Sequence, residues 1–370
     1  MKRNQTNLTA LQLTFFIIQA QIGVGILGLP FNVFSAAKQD SWISILFAGV
    51  VIQLIVFLMW GLGKRFPENS LFEYSSLLTG KFFGMLINLL YIIFGLMVAS
   101  LVLMYASTII KMWVLPITPK WIIILLLTIP AVYLGKEKVS EISNIFVVVS
   151  ALIGLLIVIS FIVMFTYPVD WRYLFPIGHA GLINILKGTK EAYFSMLGFE
   201  LLLILYPYFQ QIGERKVLLS VSLANFCVTL IYTFLTIVSV ITFSPEELLL
   251  IPQPVLYFVK SLYLQIVERI DLVFVSLWVV NVITSLTTYL FLSTEGCSIS
   301  FSKHKKFKRY LYTLFFGALA GGIALIPNKE SEIETFNKGV VYMSYLTLLV
   351  LPILLLGLSF ISKGSKKNEK

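Results

Sequence analysis

Three glycines and a proline fall within residues 21–30, inside the first long apolar segment of the chain. Glycine costs a helix interior roughly 1 kcal/mol relative to alanine, so this run predicts a break in the helix. Inside a membrane, a broken helix is tolerated where it lines a cavity. The freed amides of Gly23, Val24 and Gly25, with the positive end of the half-helix that follows, suit a ligand carboxylate.

The same glycines have a second interpretation. Gly23, Gly25 and Gly28 are spaced as a small-residue face on which another membrane helix packs closely. The ligand-site interpretation depends on a second break elsewhere in the chain. If it holds, Ile26 and Phe199 are candidate pocket side chains, and they favour a small ligand with an apolar tail.

A second candidate break lies near the middle of another apolar segment. There Gly198 is followed closely by Glu200, and Phe194 precedes both. A carboxylate at the bilayer centre costs about 2.5–3.5 kcal/mol on insertion scales, so it usually faces a cavity or a partner. We expect backbone carbonyls near Phe194 and Gly198 to accept from a ligand ammonium, and Phe194 or Phe199 to close over the ligand.

Glu200 has three interpretations from sequence. It binds a ligand ammonium, it couples proton binding to a conformational change, or its carboxylate is satisfied by unwound backbone. The apolar segment 272–296 adds a stripe of hydroxyl and amide side chains. In that stripe Thr284 and Thr288 share one helix face, and Asn281 and Ser285 share another.

The stripe predicts either a pocket wall, with Thr284 and Thr288 the stronger candidates, or hydroxyls bonded to the preceding turn and to neighbouring helices. No cluster of acids and hydroxyls indicates a sodium site. Any coupled ion is therefore expected to be a proton, with Glu200 in the gating or proton-coupling role.

The composition places these residues in a membrane protein. Of 370 residues, 58% are hydrophobic and 12% charged, with a mean hydropathy of +0.91, whereas soluble domains are roughly 25% charged. The net charge of +10 resides mostly between apolar segments, which argues against nucleic-acid binding. Two cysteines and two histidines lie far apart, so we expect no metal, no cofactor and no catalytic residues.

Ten apolar segments are long enough to cross a bilayer of roughly 30 Å. The stretch 246–266 is interrupted by Pro252 and Pro254 and charged by Lys260, so we expect an interfacial hairpin there. The predicted segments are 11–36, 42–62, 82–113, 117–135, 142–166, 190–208, 217–243, 272–296, 310–326 and 339–362.

The basic residues predict the orientation. Eighteen of the 28 lysines and arginines lie at the two termini and in the loops after even-numbered segments, and the other loops hold ten. Because the basic side is cytoplasmic, we expect both termini inside. The densest cluster, within residues 303–309, is interpreted as a topology anchor.

These segments predict an all-α polytopic membrane protein of about ten transmembrane helices, with residues 1–370 forming a single integral membrane domain. Two five-helix halves, about 10–166 and 190–362, would be inverted relative to each other because each has an odd number of helices. Segments one and six would then correspond, which agrees with a break near mid-membrane in both.

The run 23–30 resembles the glycine-rich break in helix one of the amino acid–polyamine–organocation superfamily, and residues 194–200 resemble its break in helix six. Over its full length the chain is more similar to one branch, the B subunits of spore nutrient-germinant receptors. The Gly-x-Gly-Ile-Leu-x-Leu-Pro form of residues 23–30 and the Phe-Pro-Glu-Asn-Ser loop at 66–70 carry this likeness.

The resemblance implies a membrane subunit in the spore inner membrane that binds a small nutrient, an amino acid, and signals to partner subunits. It names those partners as a germinant receptor A subunit and a lipoprotein C subunit. It also links the acid at Glu200 to proton-dependent gating. Two alternatives stay open, namely a proton-coupled amino acid permease and a structural subunit whose pocket is vestigial.

Overall fold

The computed structural model describes residues 8–262, 269–301 and 309–365, with side chains described up to Ile361. The described residues form helices and connecting turns without any strand. The α-helices are α1 Ala10–Gln21, α2 Gly25–Ala37, α3 Ser41–Arg65, α4 Leu71–Trp113, α5 Lys120–Gly135, α6 Val139–Thr166, α7 Gly181–Ser195, α8 Leu202–Phe209, α9 Glu214–Thr242, α10 Pro245–Leu248, α11 Pro254–Lys260, α12 Ile270–Phe301, α13 Arg309–Leu325, α14 Glu330–Ser344 and α15 Leu351–Ser365.

Six helical stretches within the described residues are long and apolar enough to cross a membrane. A seventh is the pair Gly181–Ser195 and Phe199–Ile212, bent by 55° at its break. Three further apolar helices, α1, α5 and α13, are shorter. The protein is thus an all-helical, multi-pass membrane protein, as predicted, whereas the count of ten and the inverted repeat stay predictions.

Each predicted segment overlaps a helix or a joined pair of helices, but several helices begin earlier than their apolar segment. Helix α4 starts at Leu71 rather than near residue 82, because Ser70 and Glu73 form a capping box there. Gly80, with φ of +83°, then bends the chain into the apolar part. Helix α14 likewise begins ahead of its apolar segment, with a first turn that carries Glu330 and Glu332. Helix α7 begins at Gly181, also ahead of its segment.

The stretch predicted as an interfacial hairpin contains two short helices, α10 of 4 residues and α11 of 7. At 1.5 Å per residue neither approaches the thickness of a bilayer. Residues 263–266 of this stretch lie outside the described residues. So do residues 303–308 of the predicted basic anchor, the first seven residues and the last five.

The two broken helices lie in the middle of the bundle. Helix α1 packs against α6, α9 and α12, and α2 packs against α7, so the breaks after Gln21 and Ser195 are neighbours. Helices α3, α9, α12 and α4 surround them. Between α14 and α15, residues Tyr345–Val350 form a π-helix. The Tyr91 hydroxyl donates a hydrogen bond to the Thr347 carbonyl in this π-helix.

Candidate functional site

The two breaks contact each other through glycines. A Cβ atom placed on Gly198 would lie 2.6 Å from the carbonyl carbon of Ala20. A Cβ on Gly25 would lie 3.0 Å from the Cβ of Ser195. Only residues without side chains allow backbones to approach this closely, so the small-residue packing and the paired breaks are parts of one arrangement.

At the first break, side chains hold the freed carbonyl groups. The Tyr232 hydroxyl donates to the Gln21 carbonyl at 2.9 Å, and the Trp278 indole N–H donates to the Gly23 carbonyl at 3.3 Å. By contrast, the N–H groups of Gly23 and Val24 have no acceptor within the part of the chain that the structure describes. The break therefore presents unpaired donors at the start of α2.

At the second break, an acid holds the backbone. Gly198 has φ of +132°, which an L side chain rarely adopts, and its N–H donates to Glu200 Oε2 at 2.7 Å. The Tyr289 hydroxyl donates to Glu200 Oε1 at 3.1 Å. Both carboxylate oxygens of this buried residue thus accept hydrogen bonds, as the backbone-satisfying interpretation expects.

Two side chains connect the breaks. The Tyr232 hydroxyl also lies 3.3 Å from the Ser195 carbonyl oxygen, at the end of α7. Gln21 Nε2 donates to the Met196 carbonyl at 2.9 Å. Two of the carbonyls expected to accept from a ligand ammonium near residues 194–198 therefore already accept from side chains.

A cavity of about 340 Å³ opens beside the breaks, within the size range of small-molecule sites, roughly 300–1,000 Å³. Four of the predicted site residues line it: Gly23, Val24, Gly25 and Phe194. The Phe194 ring packs edge-on against Tyr345 of the π-helix at a centroid distance of 5.6 Å. The unpaired amides and this aromatic ring share one wall.

The other predicted residues near the breaks lie outside that lining. Ile26 and Phe199 are buried in the apolar core, and Phe199 lies with its ring centre 5.9 Å from that of Tyr193. Gly198 touches the backbone of α1, and Glu200 lies behind Tyr289. Their roles as ligand-binding or gating residues remain predictions.

Of the hydroxyl side chains of α12, Ser285 lines the cavity, whereas Thr284 and Thr288 were the stronger candidates from sequence. Thr284 donates to Gln19 Oε1 at 2.6 Å, which ties α12 to α1, and Thr288 donates to the Thr284 carbonyl at 2.9 Å. Ser285 lines the cavity and lies against Gly23, whose added Cβ would be 2.7 Å from its Oγ. Thr284 and Thr288 are thus occupied with helix packing, and their ligand role is untested.

Several cavity residues had no candidate role from the sequence. Tyr289 lies one turn after Ser285, a spacing from which its shared face follows. Gln21 lines the inner end, beside the amides. Three acids also line the cavity, Glu191 near the end of α7 and Glu330 and Glu334 in α14. In sequence Glu191 lies at the very start of the predicted segment 190–208, and Glu330 and Glu334 lie between two segments, where they resemble ordinary loop charges.

Residue types that commonly bind metals do not form a site among the described residues. No group of three or more histidine, cysteine, aspartate or glutamate side chains converges within residues 8–262, 269–301 and 309–365. The cysteines, Cys227 and Cys297, are both free. What the site offers instead is hydrogen-bond donors and acceptors around a half-open cavity.

Comparison with known proteins identifies the family. The family model described as spore germination protein matches residues 7–333. The spore germination protein GerQB of Bacillus cereus is 25% identical over 346 residues, 92% of each chain. YndE of Bacillus subtilis (strain 168) is 24% identical over 370 residues, 99% of each chain, and spore germination protein A2 of the same strain is 23% identical over 96% of each chain.

Solved structures share the fold at low sequence identity. MhsT, in complex with L-phenylalanine, superposes with a TM-score of 0.71 at 14% identity, covering 96% of this chain and 89% of that one. A Na⁺-coupled sialic acid symporter in an outward-open state superposes with a TM-score of 0.68 at 11% identity, covering 95% and 82%. The chain belongs to the spore germination protein family, and it is a multi-pass membrane protein of the amino acid–polyamine–organocation fold rather than an enzyme.

Proposed function

We propose that this chain is the nutrient-binding membrane subunit of a spore germinant receptor, that it binds an amino acid in the cavity beside the breaks, and that it signals to partner subunits. One observation carries the proposal: two unpaired N–H groups, at Gly23 and Val24, lie at the cavity wall directly before α2. Amides at a helix N-terminus bind anions because the helix dipole adds to their own donors.

The ammonium group of an amino acid could also be bound in the cavity. Gln21 Oε1 is buried at the cavity wall and has no hydrogen-bond partner among the described residues. An ammonium placed there would donate to it while the carboxylate meets the amides. Apolar residues such as Phe194 and Val98 form part of the remaining lining, which suits an apolar side chain.

Orientation follows from the charge distribution. The cavity is lined by Pro252, Gln253 and Glu330, and these belong to the loops with fewer lysines and arginines. If the basic side is cytoplasmic, both termini lie inside and the cavity opens away from the cytoplasm. We place the chain in the spore inner membrane on the strength of its germination family.

Signalling would pass through helix packing. A ligand shifts a conformational equilibrium only by its differential affinity for the two states. The cavity is lined by residues from both segments 10–166 and 190–362, which we propose as inverted repeats. Binding there would favour one relative position of the two halves. We propose the receptor A subunit and the lipoprotein C subunit as the partners that detect this change, with surrounding lipid in contact with the apolar exterior.

Germination of spores that lack only this chain tests the receptor role. Dipicolinate release is measured across a panel of amino acids and sugars. Loss of the response to one nutrient supports the proposal and narrows the ligand, whereas normal responses to every nutrient in a strain without redundant receptors would contradict it.

A second candidate is a proton-coupled amino acid permease, favoured by the fold shared with solved transporters. Uptake of radiolabelled amino acids into vesicles that contain the purified chain separates it from the sensor. A vestigial pocket is excluded if any amino acid raises the thermal midpoint of the isolated chain.

A further inference from the structure

The cavity carries charge of the opposite sign to the protein. The chain has a net charge of +10, yet Glu191, Glu330 and Glu334 line the cavity, and no described lining residue is a lysine, arginine or histidine. Glu330 and Glu334 lie one turn apart on α14, so they share a face. Glu191 comes from α7, across the cavity from α14.

None of the three carboxylates forms an ion pair with a described lysine or arginine. Lys190 is adjacent to Glu191 in sequence and places a positive charge near it, but the two side chains form no ion pair. All three acids line the same cavity as Tyr105.

A separate acceptor lies deeper in the same cavity. The Gln21 side chain is 1% exposed, and its amide nitrogen is fixed by the Met196 carbonyl. Its Oε1 therefore has a set direction and no donor among the described residues. A buried acceptor left unpaired is costly, so this atom indicates a ligand that brings N–H groups.

We propose that the cavity selects its ligand by charge. It admits nutrients of zero or positive net charge that carry an ammonium group, and it rejects those of negative net charge. Glu191 is the specificity-determining carboxylate, because it is half-buried while Glu330 and Glu334 are exposed to water. A cleft lined by one sign of charge concentrates the opposite ion, and burial strengthens that field. The inference rests on the proposed nutrient site.

Thiol labelling measures this field without knowledge of the nutrient. In the full chain with Cys227 and Cys297 changed to alanine, Leu101→Cys places a single thiol in the cavity lining. A cationic trimethylammonium-ethyl and an anionic sulfonatoethyl methanethiosulfonate are compared, each relative to its rate with free 2-mercaptoethanol. We expect the cationic reagent to be favoured about tenfold or more.

Two variants locate the source of the preference. Glu191→Gln should reduce the ratio about threefold or more. Glu246→Gln, which removes an exposed acid of α10 outside the cavity lining, should leave it unchanged. A ratio of one, no effect of Glu191→Gln, or no reaction with either reagent would overturn the proposal.

A thermal-shift panel distinguishes this inference from the proposed function. L-Lysine, L-alanine and L-glutamate are added to the same purified chain. If labelling favours the cationic reagent but none of the three amino acids raises the thermal midpoint, the charge selection is supported and nutrient binding is contradicted. Stabilisation by L-glutamate as strong as by L-alanine contradicts the charge selection and retains nutrient binding.

Discussion

At the first break side chains hold the carbonyls and leave the amides open, whereas at the second break an acid holds the amide. Tyr232 and Trp278 donate to Gln21 and Gly23, while Glu200 accepts from Gly198. A ligand carboxylate can therefore pair with the first break, but it would compete with Glu200 at the second. We therefore propose that the first break recognises the ligand and that the second break has a structural role.

The largest effect is expected at the second break. In Gly198→Ala, an alanine would have to adopt φ of +132°, and its Cβ would lie 2.6 Å from the Ala20 carbonyl carbon. Because both the strain and the clash are severe, we expect loss of folded protein. Gly178→Ala is the control, with φ of +83° and open space around it, and should cost only about 1–2 kcal/mol. Size-exclusion profiles and thermal midpoints measure both. Equal yields would mean that the approach of the two breaks is not needed.

Removing the acid comes next. Glu200→Gln exchanges one acceptor oxygen for a donor that faces either Gly198 N–H or the Tyr289 hydroxyl, at an expected cost of about 1–3 kcal/mol. Tyr289→Phe removes one of the two donors and should cost less. We expect the thermal midpoint to fall at neutral pH, whereas the pH profile of ligand affinity should stay the same. A changed profile would support proton coupling through Glu200 instead.

Filling the first break should affect binding more than folding. A Cβ at Gly25 would lie 3.0 Å from Ser195 Cβ and beside the open amides. We expect Gly25→Ala to weaken ligand affinity about tenfold, or 1.4 kcal/mol, with normal protein levels. Gly154→Ala, in α6 with nothing near its added Cβ, is the matched control. Unchanged affinity in Gly25→Ala would remove the first break from the site.

The smallest expected effect is on ligand affinity, and it compares two residues on different faces of α12. Ser285→Ala removes a hydroxyl at the cavity wall, and we expect affinity to fall by about threefold, within the range for one hydrogen bond. Thr288→Ala, whose hydroxyl bonds to the preceding turn, should leave affinity unchanged. Titration calorimetry of both variants with the stabilising amino acid measures this. A larger loss of affinity in Thr288→Ala than in Ser285→Ala would support the sequence-based prediction that Thr288 lines the pocket.

The breaks themselves were predictable from the sequence. Glycine and proline interrupt helices for local reasons, so Gly23, Gly25 and Gly198 could be identified without tertiary information. The apolar segments were predictable for the same kind of reason, because the bilayer sets their length.

The identity of the side chains that face the cavity was harder to predict from the sequence. Thr284 and Ser285 are neighbours in sequence, and only the packing of α12 against α1 decides which of them meets Gly23. Glu330 and Glu334 lie in a stretch with the composition of a loop, and they reach the cavity because α14 extends beyond its apolar segment. Such placement depends on how helices assemble rather than on local sequence.

Trp278 gives the first break an optical reporter of its own. Its indole is fully buried, and its N–H donates to the Gly23 carbonyl, which belongs to the peptide unit that supplies the Val24 amide. Trp121 and Trp171, for comparison, are about half exposed. When a carboxylate engages that amide, the polarised peptide changes the field at the indole. Ligand occupancy should therefore be readable as a shift in the protein's intrinsic fluorescence, which Trp278→Phe abolishes.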